Sequence, residues 1–326
     1  MPFRSDSSLS RKLAMNAAAV TLLLAGGAAA AMLSLARPLA KAPNCAIFPA
    51  DNPWNQRVDA LPVAADSDQM VESIGVEANA HADFGSALID GQPIGIPYVV
   101  TAWSKRAKRV RYTEYGSESD RQRFAIPRRA PIEGGAASDG DRHVIAIDRR
   151  RCQLFELYHA RALKGGKRWQ AGSGAMFNLR TNDLRPAGWT SADAAGLPIF
   201  PGLARFDEVA SGEIDHALRF TATRTRDTYV YPARHAAGVD DPTLPPMGLR
   251  VRLKANVNLS EYPAQSQVVL RALQRYGMIL ADNGTSWYVS GAPSPKWDDD
   301  DLRSMSALVG SDFEVVDTSS LPTPGL

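Results

Sequence analysis

The sequence predicts a mainly β protein: a single sandwich or jelly-roll-like domain with two or three peripheral helices. Three observations carry that reading. Short β-branched and aromatic runs recur along the chain, and Pro, Gly, Asn and Asp punctuate them at close intervals. Only three stretches show the apolar period of a helix. With 326 residues, 44% hydrophobic and 22% charged, the chain has apolar material for one large core. No repeat or low-complexity linker interrupts residues 37–326, which are therefore taken as one β-rich extracytoplasmic unit.

The first element reads as an export signal. Arg4, Arg11 and Lys12 precede the apolar run Val20 to Ala36, and Ser34-Leu35-Ala36 fits a small-x-small cleavage site. Residues 1–36 are thus expected to be a signal peptide, with an uncleaved N-terminal anchor as the alternative. The rest would then be secreted or periplasmic. In an oxidising compartment the two cysteines, Cys45 and Cys152, are expected to pair, joining the start of the processed chain to its middle. From Arg37 onward basic and acidic side chains balance, which argues against nucleic-acid binding and leaves membrane contact only to an uncleaved N-terminus.

Eight runs read as strands: 93–103, 142–150, 152–160, 217–223, 228–233, 249–257, 276–281 and 286–291. In 249–257, Leu249, Val251 and Leu253 share a face to bury, while Arg250, Arg252 and Lys254 share one that is wet or functional. Asn283-Gly284 falls between two strand-like runs, the strongest local signal for a two-residue hairpin. Pro263 and Gly277 bracket a helix with Val269, Leu270, Leu273 and Tyr276 on one stripe. Asp66–Gly75 and Asp298–Gly310 complete the helices, the latter with carboxylates at its start.

Several stretches could carry chemistry. "GEIDHALRF" (Gly212 to Phe220) resembles the E-I-D-x-x-E strand of the laminarinase and lichenase family of retaining glycosidases. That mechanism needs a second carboxyl, and Ala217 and Leu218 stand where it should be. A Gly-rich loop ending in Asp139, Asp141 and His143 leads into a strand, and a long irregular segment follows from Gly172. Within it Trp189 offers a stacking surface with Asp193 close by, a combination suited to a sugar ring and its hydroxyls. His81 with Asp83 and Asp141 with His143 are metal-type pairs, but neither HExxH nor paired CxxC occurs. No cofactor is expected. Calcium is the alternative to helix-start charge for "KWDDDD" (Lys296–Asp301). GxSxG, the P-loop and the dinucleotide fingerprint are absent. The basic run Ser104–Tyr115 reads as strand and turn with a wet face, or as a contact for acidic polysaccharide.

Together "CAIFPADNPWN", "HADFG", "APIEGG", "SDGDRHV", "WTSADAAGLPI" and "ADNG" resemble a family of secreted bacterial proteins to which no activity is attached. The resemblance implies export and a single full-length domain, and carries over no catalytic residue. The functional expectation is an exported carbohydrate-active protein, a glycoside hydrolase or polysaccharide lyase acting on an envelope or extracellular polysaccharide. A non-catalytic glycan-binding or envelope-structural protein is the rival. For a hydrolase, Glu133, Asp193 and Glu213 are the candidate acid and base. For a lyase, His143 or His216 would abstract the proton. Trp189, His235 and Asp282 are the substrate-binding candidates.

Overall fold

The computed structural model describes residues 38–102 and 107–326, so the expected signal segment and Ser104–Arg106 of the basic run lie outside it. In chain order its strands begin β1 (His81–Asp83), β2 (Leu88–Ile89), β3 (Gln92–Pro93), β4 (Tyr98–Thr101), β5 (Val110–Tyr112), β6 (Val144–Asp148) and β7 (Gln153–Tyr158). They continue β8 (Arg161–Leu163), β9 (Arg168–Ala171), β10 (Ser173–Asn178), β11 (Leu218–Ala222), β12 (Arg250–Leu253), β13 (Met278–Asn283), β14 (Tyr288–Ser290) and β15 (Phe313–Val315). Four short helices accompany them: α1 (Ser67–Ile74), α2 (Phe206–Val209), α3 (Ala264–Arg275) and α4 (Asp299–Arg303). The protein is mainly β, as expected.

A six-stranded sheet runs β1-β14-β11-β13-β12-β15, a four-stranded one β10-β7-β6-β4, and a three-stranded one β5-β9-β8. Pairing is mixed: β1·β14, β11·β13, β4·β6 and β5·β9 are parallel. The middle sheet serves two cores. Along β6, Ile145 and Ile147 join the cluster that also holds Phe220, Leu280 and Val289 of the large sheet. Val144 and Ala146 turn the other way, into a smaller cluster with Phe124, Phe155 and Trp169. This explains why β6 is apolar without alternation: both its faces are covered.

The disulfide forms between Cys45 and Cys152. Helix α3 follows its predicted bounds, with Val269, Leu270 and Leu273 fully buried. Gly277 ends it at φ +65°, where an added Cβ would lie 2.2 Å from the Val251 carbonyl oxygen, so only glycine fits.

Other expectations are overturned. Asn283-Gly284 makes no hairpin, because β11 lies between β13 and β14 and pairs with both. The Gly284 N–H accordingly bonds the Ala222 carbonyl on β11. A local turn signal cannot register a third strand inserted from sixty residues upstream. Residues 228–233 make a single bridge, Tyr229 to Met247, since Pro232 has no N–H to extend a ladder. Residues 213–217 are irregular, and the strand begins only at Leu218. The supposed wet face of β12 is covered. Arg250 is buried and donates to the carbonyls of Tyr276, Pro53 and Gln56, while Arg252 reaches those of Val58 and Leu61. Burial alone lowers the Arg250 pKa to about 9, because its partners are neutral carbonyls rather than carboxylates.

Candidate active site

After β10 the chain runs irregularly to α2, yet much of this segment is buried. Backbone buried without a ladder must find other partners, and side chains from distant segments supply them. Arg185 Nε donates to the Thr190 carbonyl, 2.7 Å away, and Ser173 Oγ to that of Ser191. His143 Nε2 donates to the Ala192 carbonyl at 3.0 Å, and His235 Nδ1 to that of Ala194 at 2.7 Å. Glu156, fully buried on β7, accepts from the N–H groups of Ile199 and Phe200. Two imidazoles far apart in sequence thus grip the loop on either side of Asp193.

The Asp193 carboxylate turns inward. Arg219 on β11 grips it with two bonds, Nε to Oδ2 at 2.9 Å and Nη2 to Oδ1 at 2.8 Å. Arg219 Nη2 also donates to Asp282 Oδ2 at 2.9 Å, and Nη1 to Ser290 Oγ at 2.7 Å. Burial opposes the Arg219 charge, but Asp193 and then Asp282 outweigh it and raise its pKa. Asp282 is half-buried. Burial and the Asp193 charge push it up to about 7, against the pull of Arg219.

Above this charged floor lies a hollow of about 220 Å³. Asp282, the loop from Thr190 to Ala194, His235, Tyr158, Tyr115 and Asp141 line it. Asp141 is exposed at the rim. His235 donates from Nδ1 to Ala194, and its Nε2 lies 3.9 Å from Glu118 Oε2. The hollow therefore gathers two carboxyl groups, an imidazole nitrogen and two phenols from five separate segments. The chain matches no family model, no curated protein and no solved structure. Its chemistry is read from this geometry alone.

The other sequence candidates are distributed differently. His143 is wholly buried and bonded to Glu133 Oε2 at 2.6 Å through Nδ1. Burial disfavours its charge, yet Glu133 prevails and raises its pKa to about 9, so both nitrogens donate within the protein. Glu133 in turn is lowered, the His143 charge outweighing its own burial. It lines a different cavity, beside Asp139. His216 is buried between the Ala217 carbonyl and Glu208, which also pairs with Arg205. Glu213 is exposed on the side chain and pairs with Arg275. Neither Glu213 nor His216 lines the hollow. Trp189 packs over the Arg185 guanidinium, 5.7 Å from its centroid, and is also absent from the lining.

The acidic run works as helix-start charge. Asp298 caps the Asp300 and Asp301 amides, Asp301 accepts from Gln265 and Ser266, and Asp299 accepts from Ser86. Among the described residues no group of three or more His, Cys, Asp or Glu side chains is placed to hold a metal ion. Sequence reasoning missed Arg219 and Glu156 because both lie in ordinary strands. Their one trace was a charged residue at an otherwise apolar strand position.

Proposed function

We propose that the protein is an exported carbohydrate-active enzyme and that the hollow around Asp282 and Asp141 is its active site. One observation carries the reading: two carboxyls from distant segments share a small polar hollow, in which burial and the Asp193 charge raise the pKa of Asp282. Divergent carboxyl environments are how a fold assigns acid and base. Asp282, its pKa raised by burial and the Asp193 charge, is suited to protonate a glycosidic oxygen, and Asp141 to act as base or nucleophile. Tyr158 and Tyr115 offer ring faces and hydroxyls for a sugar. In a lyase, His235 Nε2 takes the proton, in place of His143 and His216, whose nitrogens are engaged in the interior. The volume lies below the roughly 300–1,000 Å³ of drug-sized clefts, a size for one ring rather than a long segment.

The scaffold is read as sandwich-like, the six- and four-stranded sheets sharing one core, with parallel pairings a jelly roll lacks. The disulfide supports export to an oxidising compartment. The test uses the oxidised chain against a panel of neutral and acidic polysaccharides, scoring new reducing ends and unsaturated uronates. Asp282→Asn and Asp141→Asn are each expected to lower turnover about 10²–10⁴-fold, the usual worth of general acid–base catalysis. Product formation unchanged in both variants removes these residues from the mechanism. Binding without any product moves the protein to the non-catalytic glycan-binding class.

A further inference from the structure

A second concave surface lies on the three-stranded sheet. A groove of about 490 Å³ is lined by Lys108, Arg109, Arg111, Arg123, Lys167 and Arg168, and among the described residues by no carboxylate. Val110 and Trp169, paired across β5 and β9, turn into the smaller core. Alternation along β5 and the residue before it sends Arg109 and Arg111 outward, roughly 6–7 Å apart, and alternation along β9 does the same for Arg168. Lys108 and Arg123 are partly committed, donating to the carbonyls of Ile126 and Ala107. Arg109, Arg111, Lys167 and Arg168 make no ion pair with any described residue. Burial, and then the positive field of Arg128, hold the Lys108 ammonium below the ordinary lysine value. The indole N–H of Trp169, whose ring also lines the groove, is buried with no acceptor.

Uncompensated cations in a row fit a linear polyanion. We propose that this groove binds an acidic polysaccharide, its carboxylates bridged by the outward guanidinium groups. Three features favour a glycan over other polyanions. Among the described residues the one aromatic in the lining, Trp169, is buried and offers no platform for stacking nucleobases. Among the described residues Leu163 is the one large exposed apolar side chain in the lining, too little for insertion into a bilayer. Arginine dominates over lysine, which suits planar bidentate contact with carboxylates. The inference rests on the carbohydrate reading for its ligand class and deepens it, naming a polyuronate-type chain held outside the hollow.

The experiment measures binding of polygalacturonate to the oxidised chain across a salt series, with neutral dextran as control. Wild type is expected to bind polygalacturonate, to ignore dextran, and to weaken steeply with salt. The quadruple variant Arg109→Gln, Arg111→Gln, Lys167→Gln, Arg168→Gln is expected to lose at least tenfold in affinity and to show a shallower salt dependence. A matching variant with lysine at the three arginine positions should keep the wild-type salt dependence and retain more affinity than the glutamine variant, losing only the bidentate share, which separates charge from misfolding. Asp141→Asn with Asp282→Asn should bind like wild type, so the groove stands or falls independently of turnover in the hollow. Wild-type affinity in the quadruple variant, or binding indifferent to salt, overturns the proposal. So does tighter groove-dependent binding of single-stranded DNA or of anionic vesicles.

Discussion

Asp193 and Arg219 are both buried and joined by two hydrogen bonds, so removing Arg219 strands the Asp193 carboxylate, while removing Asp193 leaves Arg219 with Asp282 as its one carboxylate partner among the described residues. Breaking such a pair from one side costs about 3–5 kcal/mol, whereas replacing both with apolar groups is often neutral. Asp193→Ala is therefore expected to lower the free energy of unfolding in urea by about that amount. Asp193→Leu combined with Arg219→Met should recover most of it. If Asp193→Ala unfolds at the wild-type midpoint, the pair does not hold the loop. His143 makes a prediction with pH. Its folded pKa near 9 stands above the ordinary 6.5, so its stabilisation is fully present below about 6.5 and lost as pH rises through about 9. The gap corresponds to a contribution on the order of 3 kcal/mol. Urea midpoints between pH 6.5 and 9.5 should fall more steeply for wild type than for His143→Gln. Parallel slopes would place the alkaline loss elsewhere.

At the scale of elements, what the sequence disclosed was whatever short-range chemistry decides. Helix α3 was legible because Pro263 and Gly277 fix its ends and its apolar stripe needs only one partner surface. β6, β7 and β11 were legible as apolar runs, although not their neighbours. The failures share a cause: pairing is non-local. Asn283-Gly284 has hairpin residues, but β11, buried except at Thr221, takes the place between its flanking strands. Arg250 and Arg252 have the alternation of a solvated face, yet the segment from Pro53 to Leu61 lies over them and spends their donors. For the candidate site, the loop around Asp193 was visible through its length, its aromatics and its polar residues. The direction of each polar group was not. A histidine holding a loop carbonyl and a histidine facing substrate have the same letter, and only burial separates His143 from His235.

For the whole molecule, one covalent tie bears on all of this. Cys45 precedes the segment from Pro53 to Leu61 that covers β12, and Cys152 immediately precedes β7, the strand that carries Glu156 beneath the candidate site. The bond closes a sequence separation of 107 residues, for which the chain-entropy model gives about 4–5 kcal/mol. In a chain of this size that corresponds to a fall in Tm on the order of 10 °C when Cys45→Ser and Cys152→Ser are combined. The loss should also be uneven. Without the tie, residues 45–61 are free to lift from the large sheet, taking the acceptors of Arg250 and Arg252 with them. β11 and β13 stay paired within the core. Hydrogen exchange in the double variant is therefore expected to accelerate first in residues 45–61, with the central strands slow until global unfolding. Uniform acceleration across both regions would mean that the disulfide acts only on the unfolded chain, and an unchanged Tm that it contributes nothing.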